Sequence, residues 1–218
     1  MRTFKALGAL LAYPTQELID VLPDLFAAIV EEGIVPRAQR EPLKELLRWM
    51  SGRDLLDLEE QYVEWFDRGR ATSLHLFEHV HGESRDRGQA MVDLMTLYEA
   101  EGLHLAGHEL PDYLPAILEY LAHRPLPAAN EMIGDFAHLI RGIGAQLSMR
   151  HSPYAAVMAA LLAAAGEPGF EHDAPPAEPG KSMDEEWAEE PVVFGPAAAP
   201  ACGTGSLRRP PGPRPSPR

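Results

Sequence analysis

Apolar residues recur at helical spacing along the first three quarters of the chain. Phe4, Leu7, Leu10 and Leu11 predict a short opening helix that stops near Tyr13-Pro14. Thr15 is placed to cap a second helix with the stripe Leu18, Leu22, Leu25, Phe26 and Ile29, ended by Gly33. Pro23 is expected to interrupt or bend that helix. A third follows Pro36, with Leu43, Leu46, Leu47 and Met50 inward and Arg and Lys outward. Ser51 and Asp54 form a capping-box-like start for a fourth, in which Leu55, Leu58, Tyr62 and either Trp65 or Phe66 share one face until Gly69.

The pattern then breaks at residues 74–91. Leu74, Leu76, Phe77 and Val80 alternate with three histidines and Glu78, and after Gly82 comes a dense block of both charges. Apolar and polar positions are interleaved there, so titratable groups must lie against apolar neighbours. Beyond it, Ser84 can cap a helix through Met91, Leu94, Met95 and Tyr98 to Gly102. Pro111 and Asp112 open another with Leu114, Ile117, Leu118 and Leu121, terminated by Pro125. The last pair runs over about 129–149 and 153–165, the second with Ser152 as N-cap and Pro153 at its first position. No segment shows sustained alternation of period two. The pattern predicts a single all-α helical-bundle domain of seven to nine helices over residues 1–166.

From Glu167 the composition changes: twelve of the 21 prolines follow that residue, among Gly and Ala. Such a segment buries too little apolar surface to offset its ordering entropy, so residues 167–218 are expected to be a disordered tail, acidic at first and then Pro/Arg-rich. Residues 183–196 interrupt it with Trp187, Val192, Val193 and Phe194 among five acids, the composition of a docking segment.

The formal charge of −14 argues against nucleic-acid binding and stable membrane association and favours cationic partners such as Arg- or Lys-bearing peptides. Cys202 is the single cysteine, so no intramolecular disulfide or Cys-based zinc finger can form. The basic and apolar start of the chain is too short and too soon broken by Pro14 for a signal peptide, and no run is long enough for a transmembrane helix.

Candidate chemistry is sparse. His75, Glu78 and His79 match H-x-x-E-H; on a helix the two imidazoles would share one face and could hold zinc, with Glu78 as general base. A third ligand is missing nearby and Gly82 ends any helix within a turn, so histidines hydrogen-bonded in a semi-polar interior fit the same spacing. No G-x-S-x-G elbow or phosphate-binding glycine loop occurs. Arg85-Asp86-Arg87 can grip an anion or form a solvated face, and Tyr62, Trp65 and Phe66 suit a core stripe as well as a groove.

The stretches LLDLEEQYVEWFDRGRATSLHLFEHVHGESRDRGQAMVDLM, YEAEGL and ELPDYLPAILEYLA resemble the assembly chaperones of respiratory nitrate reductase (the NarJ type), within the wider group of redox-enzyme maturation chaperones. The close match spans about residues 55–123, and the opening LGALLAYPTQEL and the acidic EEWAEEPVVFG fit as well. The resemblance implies an all-helical cytoplasmic chaperone, not an enzyme, with no permanently bound cofactor. Its partner would be the catalytic (alpha) subunit of nitrate reductase, including that subunit's N-terminal signal-like peptide. The chaperone would hold this client ready for insertion of molybdopterin guanine dinucleotide and delay its membrane attachment. Carried over onto this chain, the family's E-x-x-Y-x-x-x-F feature falls on Glu59, Tyr62 and Phe66, its FEHVHGESRDRG block on Phe77 to Gly88, and its ELPDxLP block on Glu109 to Pro115. Tyr113 stands where the family more often has histidine.

The expected client-peptide-binding residues are therefore Glu59, Tyr62, Phe66, Phe77, Glu78, His79, His81, Glu83, Arg85, Asp86, Asp112 and Tyr113. Tyr62 and Phe66 would take the apolar face of an amphipathic peptide helix. Glu59, Glu78, Glu83, Asp86 and Asp112 would meet its cationic end, and His79 and His81 would make release sensitive to mildly acid pH. A zinc hydrolase using His75, Glu78 and His79, or a helical adaptor acting through the acidic tail segment, are the alternative readings.

Overall fold

A computed structural model describes residues 1–81, 85–105 and 109–170, with the side chain of Arg85 excluded. Among these residues the chain forms α1 (Arg2–Leu11), α2 (Gln16–Glu32), α3 (Arg37–Ser51), α4 (Leu55–Phe66), α5 (Leu76–His81), α6 (Arg85–Ala100), α7 (Leu114–Ala122), α8 (Leu126–Met149) and α9 (Ala155–Ala165). A 3₁₀ turn at Arg70–Thr72 links α4 to α5. The described residues contain no strand, only one isolated antiparallel bridge between His75 and Tyr113. The all-α expectation is met.

Two helices form the centre. The sequence AAVMAALLAAA makes α9 apolar on every side, which suits a helix with neighbours all round. It packs against α8, α3 and α1, with Val157, Met158, Leu161 and Leu162 fully buried. α1 buries Phe4, Leu7, Leu10 and Leu11 completely and lies between α2 and α7. Its approach to α7 depends on Gly8: a Cβ there would sit 3.2 Å from both the Leu118 Cβ and the Pro115 carbonyl, tighter than side chains normally tolerate.

Helix boundaries follow local chemistry. The Thr15 side chain accepts the Leu18 N–H at 3.2 Å, and Gly33, at φ 75°, closes α2 in the left-handed conformation that glycine adopts without strain. Pro23 does not interrupt α2, which runs on to Glu32 with the proline inside it. Ser51 does not cap α4. It is the last residue of α3, its hydroxyl donates to the Leu47 carbonyl at 2.8 Å, and Asp54 precedes α4 without a side-chain cap bond. α8 starts three residues earlier than expected, because Pro127 is tolerated in a first helical turn. Ser152 also fails as a cap: its hydroxyl is buried without a partner among the described residues, and Tyr154 takes the N-cap position. On α6, Leu94 and Tyr98 turn inward but Met95 is exposed.

Ser84 and Glu83, like the tail segment 183–196 and Cys202, lie outside the described residues. No helix among the described residues is long and apolar enough to cross a membrane.

Candidate functional site

The interleaved stretch and the segment before α7 are sewn together around one buried carboxylate. The Leu76 N–H donates to the Asp112 carbonyl at 3.1 Å and the Leu114 N–H to the Leu74 carbonyl at 2.9 Å, so the two segments run antiparallel for a single bridge. Asp112 is fully buried. Its Oδ2 accepts the Phe77 N–H at 3.1 Å, satisfying an otherwise orphaned donor in the first turn of α5, and its Oδ1 lies 3.2 Å from His75 Nδ1. The Arg87 guanidinium reaches from α6 to 3.4 Å from Glu78 and 3.9 Å from Asp112. Glu78 in turn accepts the Ser73 hydroxyl at 2.7 Å, and His79 Nε2 donates to the Ser73 carbonyl at 2.9 Å.

This network answers the zinc reading. α5 begins at Leu76, so His75 is not one turn from His79 on a common helical face. The two rings serve different acceptors, and no cluster of three or more His, Cys, Asp or Glu among the described residues is arranged to hold a metal ion.

The hydrogen bond to Asp112 raises the His75 pKa above its ordinary 6.5; partial burial opposes this, and the charges of Asp112, Glu78 and Glu109 reinforce it. A raised folded-state pKa means that His75 adds stability fully below the unfolded value, and that this contribution is lost as the pH rises through the folded value. The stability advantage of the native chain over His75→Gln is therefore expected to shrink as the pH rises above the ordinary histidine value of about 6.5. Urea titrations of both at several pH values test this, and a constant difference would refute it.

The expected site residues that are described do not form one surface. Tyr62 and Phe66 are core residues, each 4% exposed. Tyr62 donates its hydroxyl to the Leu11 carbonyl at 2.8 Å and meets the Tyr113 hydroxyl at 3.0 Å. Both rings pack edge-on against the fully buried Tyr154. Burial drives the hydroxyl pKa values of Tyr62, Tyr113 and Tyr154 upward, so all three stay neutral. Phe77 packs against Phe136 and His81, Glu59 is half-buried, and Asp86 is exposed.

The concave feature nearby is a cleft of about 470 Å³ between α1 and α7. Lys5, Gly8, Ala9 and Ala12 form its α1 wall and Pro115, Ala116, Glu119 and Tyr120 its α7 wall. Tyr98, Leu103, His104, Leu105, Glu109 and Tyr113 complete the lining, and the Tyr98 hydroxyl donates to the Pro111 carbonyl at 2.8 Å. Tyr113 is the one expected site residue, of those described, that lines it. Small side chains leave room over an apolar floor, while Glu109 and Glu119 supply negative charge at the edge. Sequence reasoning missed Gly8, Ala9, Ala12, Tyr98, Ala116, Glu119 and Tyr120. The available signal was the run of small residues Gly8, Ala9 and Ala12 in an otherwise leucine-rich helix.

A family model described as nitrate reductase delta subunit matches residues 35–160. The nitrate reductase molybdenum cofactor assembly chaperone NarJ of Escherichia coli K12 is 49% identical over 153 residues, covering 70% of this chain and 65% of that one. The chain thus spans just under two thirds of that relative's length. A second Escherichia coli K12 relative, named "Probable nitrate reductase molybdenum cofactor assembly chaperone NarW", is 38% identical over 220 residues, covering 96% of this chain and 90% of its own. Among solved structures, a protein from Archaeoglobus fulgidus described as a candidate redox enzyme maturation protein shares the fold. Its TM-score is 0.53 at 19% identity, over 74% of this chain and 91% of that one.

Proposed function

The chain belongs to the nitrate reductase delta subunit family, and we propose on that premise that it is a maturation chaperone rather than an enzyme. Its client is the catalytic subunit of respiratory nitrate reductase, bound through an N-terminal signal-like peptide. Binding holds the client open for insertion of molybdopterin guanine dinucleotide and postpones its membrane attachment. The chaperone works in the cytoplasm and keeps no cofactor of its own.

The observation that carries this reading is the cleft between α1 and α7. An amphipathic peptide helix needs an apolar trough with room for its backbone, and Ala9, Ala12 and Ala116 leave that room. A basic first turn needs a carboxylate, and the cleft offers two, Glu119 beside Lys5 and Glu109 on the opposite edge. Apolar anchors supply most of the affinity and charge sets orientation. Tyr113 lines the cleft and pairs with His75 in the bridge beside Asp112, which links the cleft to the Asp112 network.

Calorimetric titration of the full chain with the synthetic N-terminal peptide of a nitrate reductase catalytic subunit tests the reading. A low-micromolar or tighter complex, about −8 kcal/mol or better, is expected. Ala116→Leu, which fills the trough, should weaken it by about tenfold or more, roughly 1.4 kcal/mol, without lowering the melting temperature. Unchanged affinity in Ala116→Leu would remove the cleft from the reading, and no binding at all would remove the client.

A further inference from the structure

We propose that Lys5 is an internal placeholder for the client's cation: it occupies Glu119 in the empty cleft and gives that carboxylate up to an arginine or lysine of the bound peptide. This rests on the client-peptide reading above. Lys5 stands on α1 and Glu119 on α7, both line the cleft, and Nζ lies 3.1 Å from Oε1 across its mouth. The pair therefore sits where the basic end of a peptide would have to enter.

Breaking the pair costs little. The two side chains are 65% and 58% exposed, and ion pairs so open to water contribute hardly anything to stability. The helices do not need the bridge to stay together, because Gly8 brings α1 directly onto Pro115 and Leu118. The lysine ammonium is a strongly hydrated point charge on a flexible stem and can swing into solvent. A guanidinium offers a planar fork that binds the same carboxylate through two hydrogen bonds. The exchange trades a weak contact for a stronger one, and it does so only for a peptide that carries a cation. Glu109, on the opposite edge, makes no salt bridge among the described residues and gives the incoming charge its first attraction. An apolar helix without a basic end has no cation to offer Glu119, so it leaves the Lys5 pair in place and gains nothing from its removal.

Four variants of the full chain and two peptides test this: Lys5→Gln, Glu119→Gln, the double variant, and Arg2→Gln as a control. The peptides are the client peptide and a copy with its basic residues replaced by glutamine. Arg2 carries the same charge one turn away on α1, but pairs with Glu31 outside the cleft. Lys5→Gln should tighten the client peptide about two- to fivefold, the range expected from removing one exposed ion pair. Glu119→Gln should weaken it, the Lys5→Gln gain should vanish in the double variant, and Arg2→Gln should leave affinity unchanged. The glutamine copy should not gain from Lys5→Gln. A gain that survives in the Glu119→Gln background, or that Arg2→Gln reproduces, would reduce the effect to net charge and overturn the placeholder. So would a Lys5→Gln variant that binds no tighter than the native chain. If the native chain and every variant fail to bind the client peptide, the client-peptide reading falls and the placeholder falls with it.

Discussion

Asp112→Ala should cost about 3–5 kcal/mol of stability, the range seen when one partner of a buried charge network is removed. The carboxylate has no contact with solvent and joins three parts of the chain. Without it the Phe77 N–H loses its acceptor, His75 loses the anion that stabilises its protonated form, and Arg87 keeps only Glu78. The alanine leaves these groups desolvated but unpartnered, which is costlier than never having buried them. Asp112→Asn keeps the size and one acceptor oxygen but not the charge, so it should lose roughly half as much. Urea unfolding at neutral pH measures both. A loss under about 1 kcal/mol for Asp112→Ala would mean the network is incidental to the fold. Function should fall with stability, because Asp112 precedes Tyr113 and its carbonyl pairs the segment that lines the cleft. In the folded fraction that remains, peptide affinity should also drop, since Glu109 and Tyr113 are no longer held against α5.

Much of the architecture was legible because helices write their own period. Phe4, Leu7, Leu10 and Leu11 marked α1, and Thr15 and Gly33 marked both ends of α2. Failures arose where a side chain had two possible partners. The Ser51 hydroxyl could cap the next helix or bond back four residues, and it bonds back. His75 and His79 matched a metal-binding spacing only if one helix covered both, and α5 starts one residue too late. The alternative between Trp65 and Phe66 was unnecessary, because Tyr154 on the far side gives both rings a neighbour. The cleft could not be read from spacing at all. Lys5, Ala9 and Ala12 follow one helical face, yet nothing local says that α7, more than a hundred residues later, stands opposite. Resemblance pointed to Glu109 and Tyr113, which line the cleft, and also to Tyr62 and Phe66, which the structure buries in the core.

That distinction yields a second large effect. Phe66→Ala should destabilise the protein by about 3–5 kcal/mol, the usual cost of deleting a buried phenylalanine ring. Its ring centre lies 4.8 Å from that of Tyr62 and 5.2 Å from that of Tyr154, and Tyr154 also meets Trp49 and Trp65. Removing Phe66 therefore opens a cavity in the middle of an aromatic cluster whose members cannot collapse without shifting α4 against α9. Tyr62→Phe is a gentler probe. It keeps the ring and deletes the hydroxyl, leaving the buried Leu11 carbonyl without that donor and Tyr113 without its partner, at about 1–3 kcal/mol. Loss of peptide binding in Phe66→Ala would accordingly be ambiguous, because an unfolded chain binds nothing specifically. The informative comparison is Tyr62→Phe against Ala116→Leu. Tyr62→Phe should melt earlier yet bind the peptide with near-native affinity below its transition, whereas Ala116→Leu should melt normally and bind poorly. Thermal unfolding and calorimetry on the same samples separate the two. If Tyr62→Phe instead abolishes binding while fully folded, the tyrosine hydroxyl touches the client, and the peptide path must run beneath Tyr113 into the core rather than along the trough.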